Sequence, residues 1–173
     1  MESITPRQEA KRGPAGAGGA SEGEERLSGM ETHLGYWLRR VSNQVSGGFA
    51  RALQTRHVSV AEWVVLRQIH ERPESKPGEL AGALGLTRGA VSKVLDKLEA
   101  KKWIRSKILP EDNRVQLLTL TGQGRRVLPQ LAEIADRNDE HFFDCLDADE
   151  KAMLRRVLRK LADFHQIRDV PVD

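Results

Sequence analysis

Aromatic side chains are scarce, with three Trp, four Phe and one Tyr among 173 residues, and cysteine is scarcer, with Cys145 alone. One cysteine cannot close an internal disulfide, which excludes a disulfide-stapled scaffold and suits a reducing compartment. No apolar run approaches the roughly 20 residues of a membrane span, and no signal-peptide core follows the N-terminus. These absences set the expectation of a cytoplasmic protein without membrane contact. A dominant charge sign is missing too, since 28 Lys and Arg against 25 Asp and Glu leave +3. Hydrophobic residues, at 39%, fall below the usual share, and charged ones reach 31%. That balance fits a helical protein with long solvated faces, or a folded domain carrying a disordered tail. The length suffices for one domain with a real core.

What the average charge hides, its distribution shows. From Lys76 to Gln116 stand nine basic residues against five acidic ones, so this stretch holds the whole cationic excess. A local basic stretch is a footprint for polyanions, although a solvated surface explains many charge runs. Residues 1–29 are rich in Gly, Ala and Glu and nearly free of large apolar side chains. They are expected to form a disordered tail, because they bury too little to offset their ordering entropy. Beyond them, Leu34, Trp37, Leu38, Val41, Val45, Phe49 and Ala52 fall on one arc of a helix spanning about 32–55. Gly47 and Gly48 weaken that helix by about 1 kcal/mol each unless a close backbone needs the room.

Further helices announce themselves by their caps. Ser59 and Glu62 form a capping box for a second helix that ends before Pro73. Pro77 opens a short third helix over 78–84, which Gly85 stops with a left-handed turn. Thr87 then caps a fourth helix reaching about Lys101. Two helices joined by a short glycine-bearing turn form a helix-turn-helix. On the fourth helix Val91, Val94, Leu95 and Leu98 face a core, while Gly89, Ser92, Lys93 and Asp96 face outward with Arg88 and Lys97 at the flanks. Such a face offers donors to phosphates and guanine edges. An ordinary amphipathic surface helix would look similar.

A hairpin follows, with strands expected at 103–109 and 115–120 and a tip of Pro110, Glu111, Asp112, Asn113 and Arg114. Directly after a helix-turn-helix, a basic hairpin is a wing whose tip lies near the minor groove, where negative potential favours arginine. Asp112 is expected to hold Arg114 in position; alone, the pair would be a surface ion pair of about 0–1 kcal/mol. Thr121 caps a fifth helix to about Asp144, and Asp147 with Glu150 forms a capping box for a sixth. The fold class expected is mainly α with a small β-hairpin wing.

The run PGELAGALGLTRGAVSKVLDKLEAKKWI, then PEDNR, then LTLTGQG resembles the MarR family of winged helix-turn-helix transcriptional regulators over about residues 32–166. The resemblance implies a DNA-binding transcriptional regulator: a homodimer on a pseudo-palindromic operator of double-stranded DNA, usually a repressor released by a small phenolic or lipophilic effector. It divides residues 30–173 into dimerisation helices at 30–58 and 121–168 and a winged helix-turn-helix at 59–120. By position, Thr87, Arg88, Gly89, Ala90, Ser92 and Lys93 match the family's DNA-facing stretch, and Asp112 and Arg114 match its wing pair. Lys97 joins them from the outward face of the fourth helix. By location, His33, Tyr36, Trp37 and Arg40 are candidates for the effector site. Two departures stand out. Gly89 and Ala90 replace residues that often carry hydroxyls, and Lys102-Trp103 replaces Gly-Leu, which puts a lysine where a left-handed residue is needed at about 1 kcal/mol.

The apolar stripes of the first, fifth and sixth helices exceed what a small winged-helix core covers, and a dimer buries the surplus; the alternative is a larger monomeric helical domain. The stripe of the fifth comprises Val127, Leu128, Leu131, Ile134, Ala135, Phe142 and Leu146; Met153, Leu154, Val157, Leu158, Leu161 and Phe164 form that of the sixth. Pro129 interrupts the fifth helix, and Asn138 lies in its stripe, where it either fixes register or faces solvent. Trp63 is expected in the core. His141 and Cys145 share a helix face, but no third ligand completes a metal site, so no metal and no cofactor are expected. Cys145 is expected to be a buried, inert thiol. No catalytic constellation appears. The competing reading is a winged-helix protein-interaction module without DNA binding.

Overall fold

The computed structural model describes residues 27–109 and 112–168, without the side chains of 109 and 112–115. Most of the expected tail, residues 1–26, lies outside the described residues. A 3-10 turn, Met30–Thr32, precedes α1 (Leu34–Gln54), α2 (Val60–Glu71), α3 (Pro77–Ala83), α4 (Arg88–Ala100), β1 (Ile104–Leu109), β2 (Asp112–Leu120), α5 (Gly122–Phe142) and α6 (Ala148–Phe164). The helix expected over about 32–55 forms as α1 and starts two residues later, because His33 is extended.

The caps form as their residues dictate. Ser59 and Glu62 make the reciprocal capping box of α2, and Asp147 and Glu150 make that of α6. Thr121 accepts from the Gly124 amide to open α5. Gly85 takes φ 62° after α3, and the Leu86 amide returns to the Ala81 carbonyl at 3.0 Å, closing a Schellman turn. Lys102 holds the same conformation at φ 58° after α4, with its amide bonded to Glu99 and that of Trp103 to Leu98. The lysine therefore occupies a glycine position.

One core joins the lobe. Val65, Leu66 and Ile69 of α2, Leu80 and Leu84 around α3, Val91 and Leu98 of α4, and Leu118 of β2 are sealed from solvent, with Leu53 closing the α1 end. Trp63 packs against this core half-buried, edge-on to Phe49 at 6.2 Å. The strands pair antiparallel, Ile104 with Leu120 and Ser106 with Leu118, and Leu118 also bridges Ser75, which adds a third short edge to the hairpin. The structure corrects the expected tip. Strand β2 begins at Asp112, not at Val115: Asp112 pairs with Leu109, and 113–115 are the extra residues of a register shift between Ile108 and Leu109. Such an irregularity absorbs extra residues on one strand without breaking the pairing beyond it.

Two glycines mark close approaches. A Cβ on Gly124 would stand 2.0 Å from the Trp103 carbonyl, so the start of α5 rests directly on the hairpin's entry. One on Gly48 would stand 2.9 Å from Asn138 Oδ1, and Asn138 Nδ2 donates to the Val45 carbonyl at 3.3 Å. Asn138 thus bonds α1 rather than solvent, and Gly48 gives it room. On α6 no residue is buried, and Met153, Val157, Leu158, Leu161 and Phe164 are all exposed. Leu34, Trp37, Leu38 and Val41 of α1 are exposed as well.

Candidate nucleic-acid interface

α4 owes its orientation to its apolar side. Val91, Leu95 and Leu98 are buried, which turns Thr87, Arg88, Gly89, Ser92, Lys93 and Lys97 outward, all exposed. Ala90 is only half-exposed, and its amide is spent on the Thr87 hydroxyl at 3.2 Å. Its partial burial places Ala90 at the edge of the face. Nothing lies within 4 Å of a Cβ added to Gly89, so this glycine serves no packing need. Among the described residues, Arg88, Lys93 and Lys97 form no ion pair within the chain. Their charge is free to meet an outside anion, and the unpaired amides of the first turn add to it.

The hairpin contributes cations that sequence reasoning did not single out. Arg105 and Lys107 are exposed on β1, and Arg105 Nε donates to Thr119 Oγ1 across the ladder at 3.1 Å. Ser106 Oγ reaches Glu99 Oε1 at 2.6 Å, linking α4 to the wing. Their place in the basic stretch from Lys76 to Gln116 was the available signal. The side chains of Asp112 and Arg114 lie outside the described residues, so the expected wing pair has no geometry here.

Behind α4 sits a buried carboxylate. Glu62 is 3% exposed and receives the Lys101 ammonium at 2.6 Å and the Ser59 amide at 2.8 Å. Burial raises its pKa, but the bonds from Lys101 and Ser59 outweigh burial and hold it below the ordinary 4.5.

Three of the four effector candidates come together at the start of α1. Trp37 Nε1 donates to the Glu31 carbonyl at 2.8 Å, Arg40 donates to the Tyr36 hydroxyl at 3.1 Å, and the Arg40 guanidinium stands 5.6 Å from the Trp37 ring centre. His33 Nε2 is 3.0 Å from Ser28 Oγ. Tyr36, Trp37 and Arg40 thus pack on one another at the exposed start of α1, and His33 pairs with Ser28. A cleft of about 240 Å³ lies instead between α1, α2 and α5, lined by Phe49, Trp63, Ser46 and Asn138 among others. Cys145 is exposed in the chain, contrary to the buried thiol expected, because it falls in the turn after α5 where no element covers it.

A short helix, a left-handed glycine turn, an outward cationic helix and a hairpin in that order define a winged helix-turn-helix, the DNA-binding unit of transcriptional regulators. Comparison with known proteins agrees. Residues 58–115 match the model of the MarR family. A putative transcriptional regulatory protein for the hcr operon of Thauera aromatica is 28% identical over 145 residues, covering 83% of this chain and 86% of that one. A cysteine-to-serine mutant of MarR from Escherichia coli, solved with operator DNA, aligns with a TM-score of 0.65 at 27% identity over 74% of this chain and 92% of the other. A Mycobacterium tuberculosis MarR family protein in complex with DNA aligns at 0.66 with 28% identity, covering 75% and 97%. The chain is thus similar to DNA-binding transcriptional regulators of the MarR family, whose model its residues 58–115 match. None of its described helices is long and apolar enough to cross a membrane.

Proposed function

We propose that two copies of this chain form a cytoplasmic repressor that sits on a pseudo-palindromic operator and leaves it when a small lipophilic or phenolic effector binds. The observation that carries the reading is the outward face of α4, where three exposed cations stand without an ion pair among the described residues. Thr87, Arg88, Gly89, Ser92, Lys93 and Lys97 are assigned to the major groove, with Ala90 at the margin. Arg105 and Lys107 are assigned to the backbone, and from the sequence Arg114, held by Asp112, to the minor groove. That two similar proteins were solved in complex with DNA supports the DNA-binding reading.

Support for the dimer comes from α6, which buries nothing against its own chain, and from the exposed apolar half of α1. Exposed stripes of this extent mark an interface. For the effector, the α1–α2–α5 cleft fits better than the cluster at His33, Tyr36, Trp37 and Arg40, because it joins the dimer helices to the reading lobe. The test is retention of genomic fragments by the purified protein, followed by titration of a retained duplex at several salt concentrations. A dimer bound with a steep salt slope is expected. A monomer, or a protein that retains no fragment at low salt, overturns the reading.

A further inference from the structure

We propose that Lys101 is a positioning residue that locks the direction of α4 to α1, by tying the end of the recognition helix to the turn between α1 and α2. Lys101 is the C-cap of α4, and its ammonium donates to the His57 carbonyl and to Glu62 Oε1, each at 2.6 Å. His57 lies in the turn that ends α1, in the left-handed region at φ 56°. Glu62 belongs to the first turn of α2 and is buried. One ammonium therefore holds three segments: the end of α4, the exit of α1 and the entry of α2. Among the described residues, no other side-chain hydrogen bond or ion pair joins α4 to that turn. Its ammonium also stands 4.9 Å from the centre of the Trp103 ring, a cation–π contact that limits the positions open to it.

The leverage comes from where the tie is placed. Val91, Leu95 and Leu98 hold α4 against the core by apolar contact, which is non-directional. The ammonium adds a charge-assisted bond of fixed direction at the helix's far end. Arg88 stands about 20 Å away along the axis, so a tilt of about 5° at the node displaces it by roughly 2 Å. That shift is enough to spoil a bidentate base contact. In a dimer the same tilt acts at both reading heads and changes the separation between them.

The inference rests on the DNA reading for its consequence but not for its geometry, and the test separates the two. Spin labels at Asn43→Cys and Lys93→Cys, in full-length Cys145→Ser protein diluted with unlabelled chain, report the distance between α1 and α4 within one subunit. Lys101→Met is expected to broaden that distance distribution by about 2 Å, and Lys101→Arg to restore it; Lys101→Gln serves where the Met variant does not fold. In parallel, one base pair is inserted between the half-sites of a retained genomic duplex, which rotates one half-site by about 34°. Unlabelled wild-type protein is expected to lose about tenfold in affinity and Lys101→Met threefold or less, since the loosened head tolerates the wrong spacing. An unchanged distance distribution overturns the proposal, and so does a broadened one with the full wild-type spacing penalty. If wild-type protein retains no duplex, the DNA reading fails while the distance measurement still decides the tie.

Discussion

Single residues here reveal local conflicts that the fold tolerates. Lys102 adopts φ 58° where glycine would be unstrained. Lys102→Gly is therefore expected to stabilise the protein by about 1 kcal/mol, seen as a rise of about 2–4 °C in thermal unfolding. An unchanged or lower midpoint would mean that the lysine side chain compensates for its backbone. Glu62 responds to pH in a defined direction. Its native pKa is lowered, so the stability it contributes is complete above 4.5 and is lost as pH falls through the lower native value. Glu62→Gln should cost about 1–3 kcal/mol at neutral pH and flatten the acid limb of the stability curve, as measured by denaturant unfolding across pH. The glycine-like position of Lys102 and the capping role of Glu62 were both legible in the sequence. The partnership of Glu62 with Lys101 was not, because a bond across 39 residues leaves no local pattern.

At the level of elements, the caps and breaks of the helices were the most readable feature, since Ser59, Thr87, Thr121 and Asp147 act through neighbours three residues away. The hairpin was less readable. Its second strand starts three residues earlier than its apolar pattern suggests, because backbone pairing continues past a register shift that side-chain alternation cannot show. The paired glycines of α1 turn out to differ. An added Cβ meets only the flexible end of Arg51 at Gly47, but the Asn138 amide that bonds α1 to α5 at Gly48. Gly47→Ala should therefore stabilise by about 0.5–1 kcal/mol, and Gly48→Ala by distinctly less. Equal gains in thermal unfolding would show that the Asn138 bond contributes nothing. Gly124→Ala places a methyl against the Trp103 carbonyl and should cost at least about 1–3 kcal/mol.

For the whole molecule, the sequence located the outward face of α4 because one helix with a clear apolar side can point its other side only outward. It also located the surplus apolar faces of α1 and α6, though not what covers them. Of the four effector candidates chosen by position, Tyr36, Trp37 and Arg40 pack together, and His33 bonds Ser28. If α6 is a dimer seam, Leu161→Glu should give a monomer by sedimentation and weaken DNA binding, while the winged lobe stays folded by circular dichroism.

The central claim is that paired recognition helices bring their exposed cations to one duplex. It is tested most directly by the salt dependence of binding to a retained genomic duplex, measured by fluorescence anisotropy for wild type and Arg88→Ala. Two subunits each losing one phosphate or base-edge cation should reduce the slope of log affinity against log salt by about 2. A slope that stays at the wild-type value would show that this face of α4 does not meet the DNA.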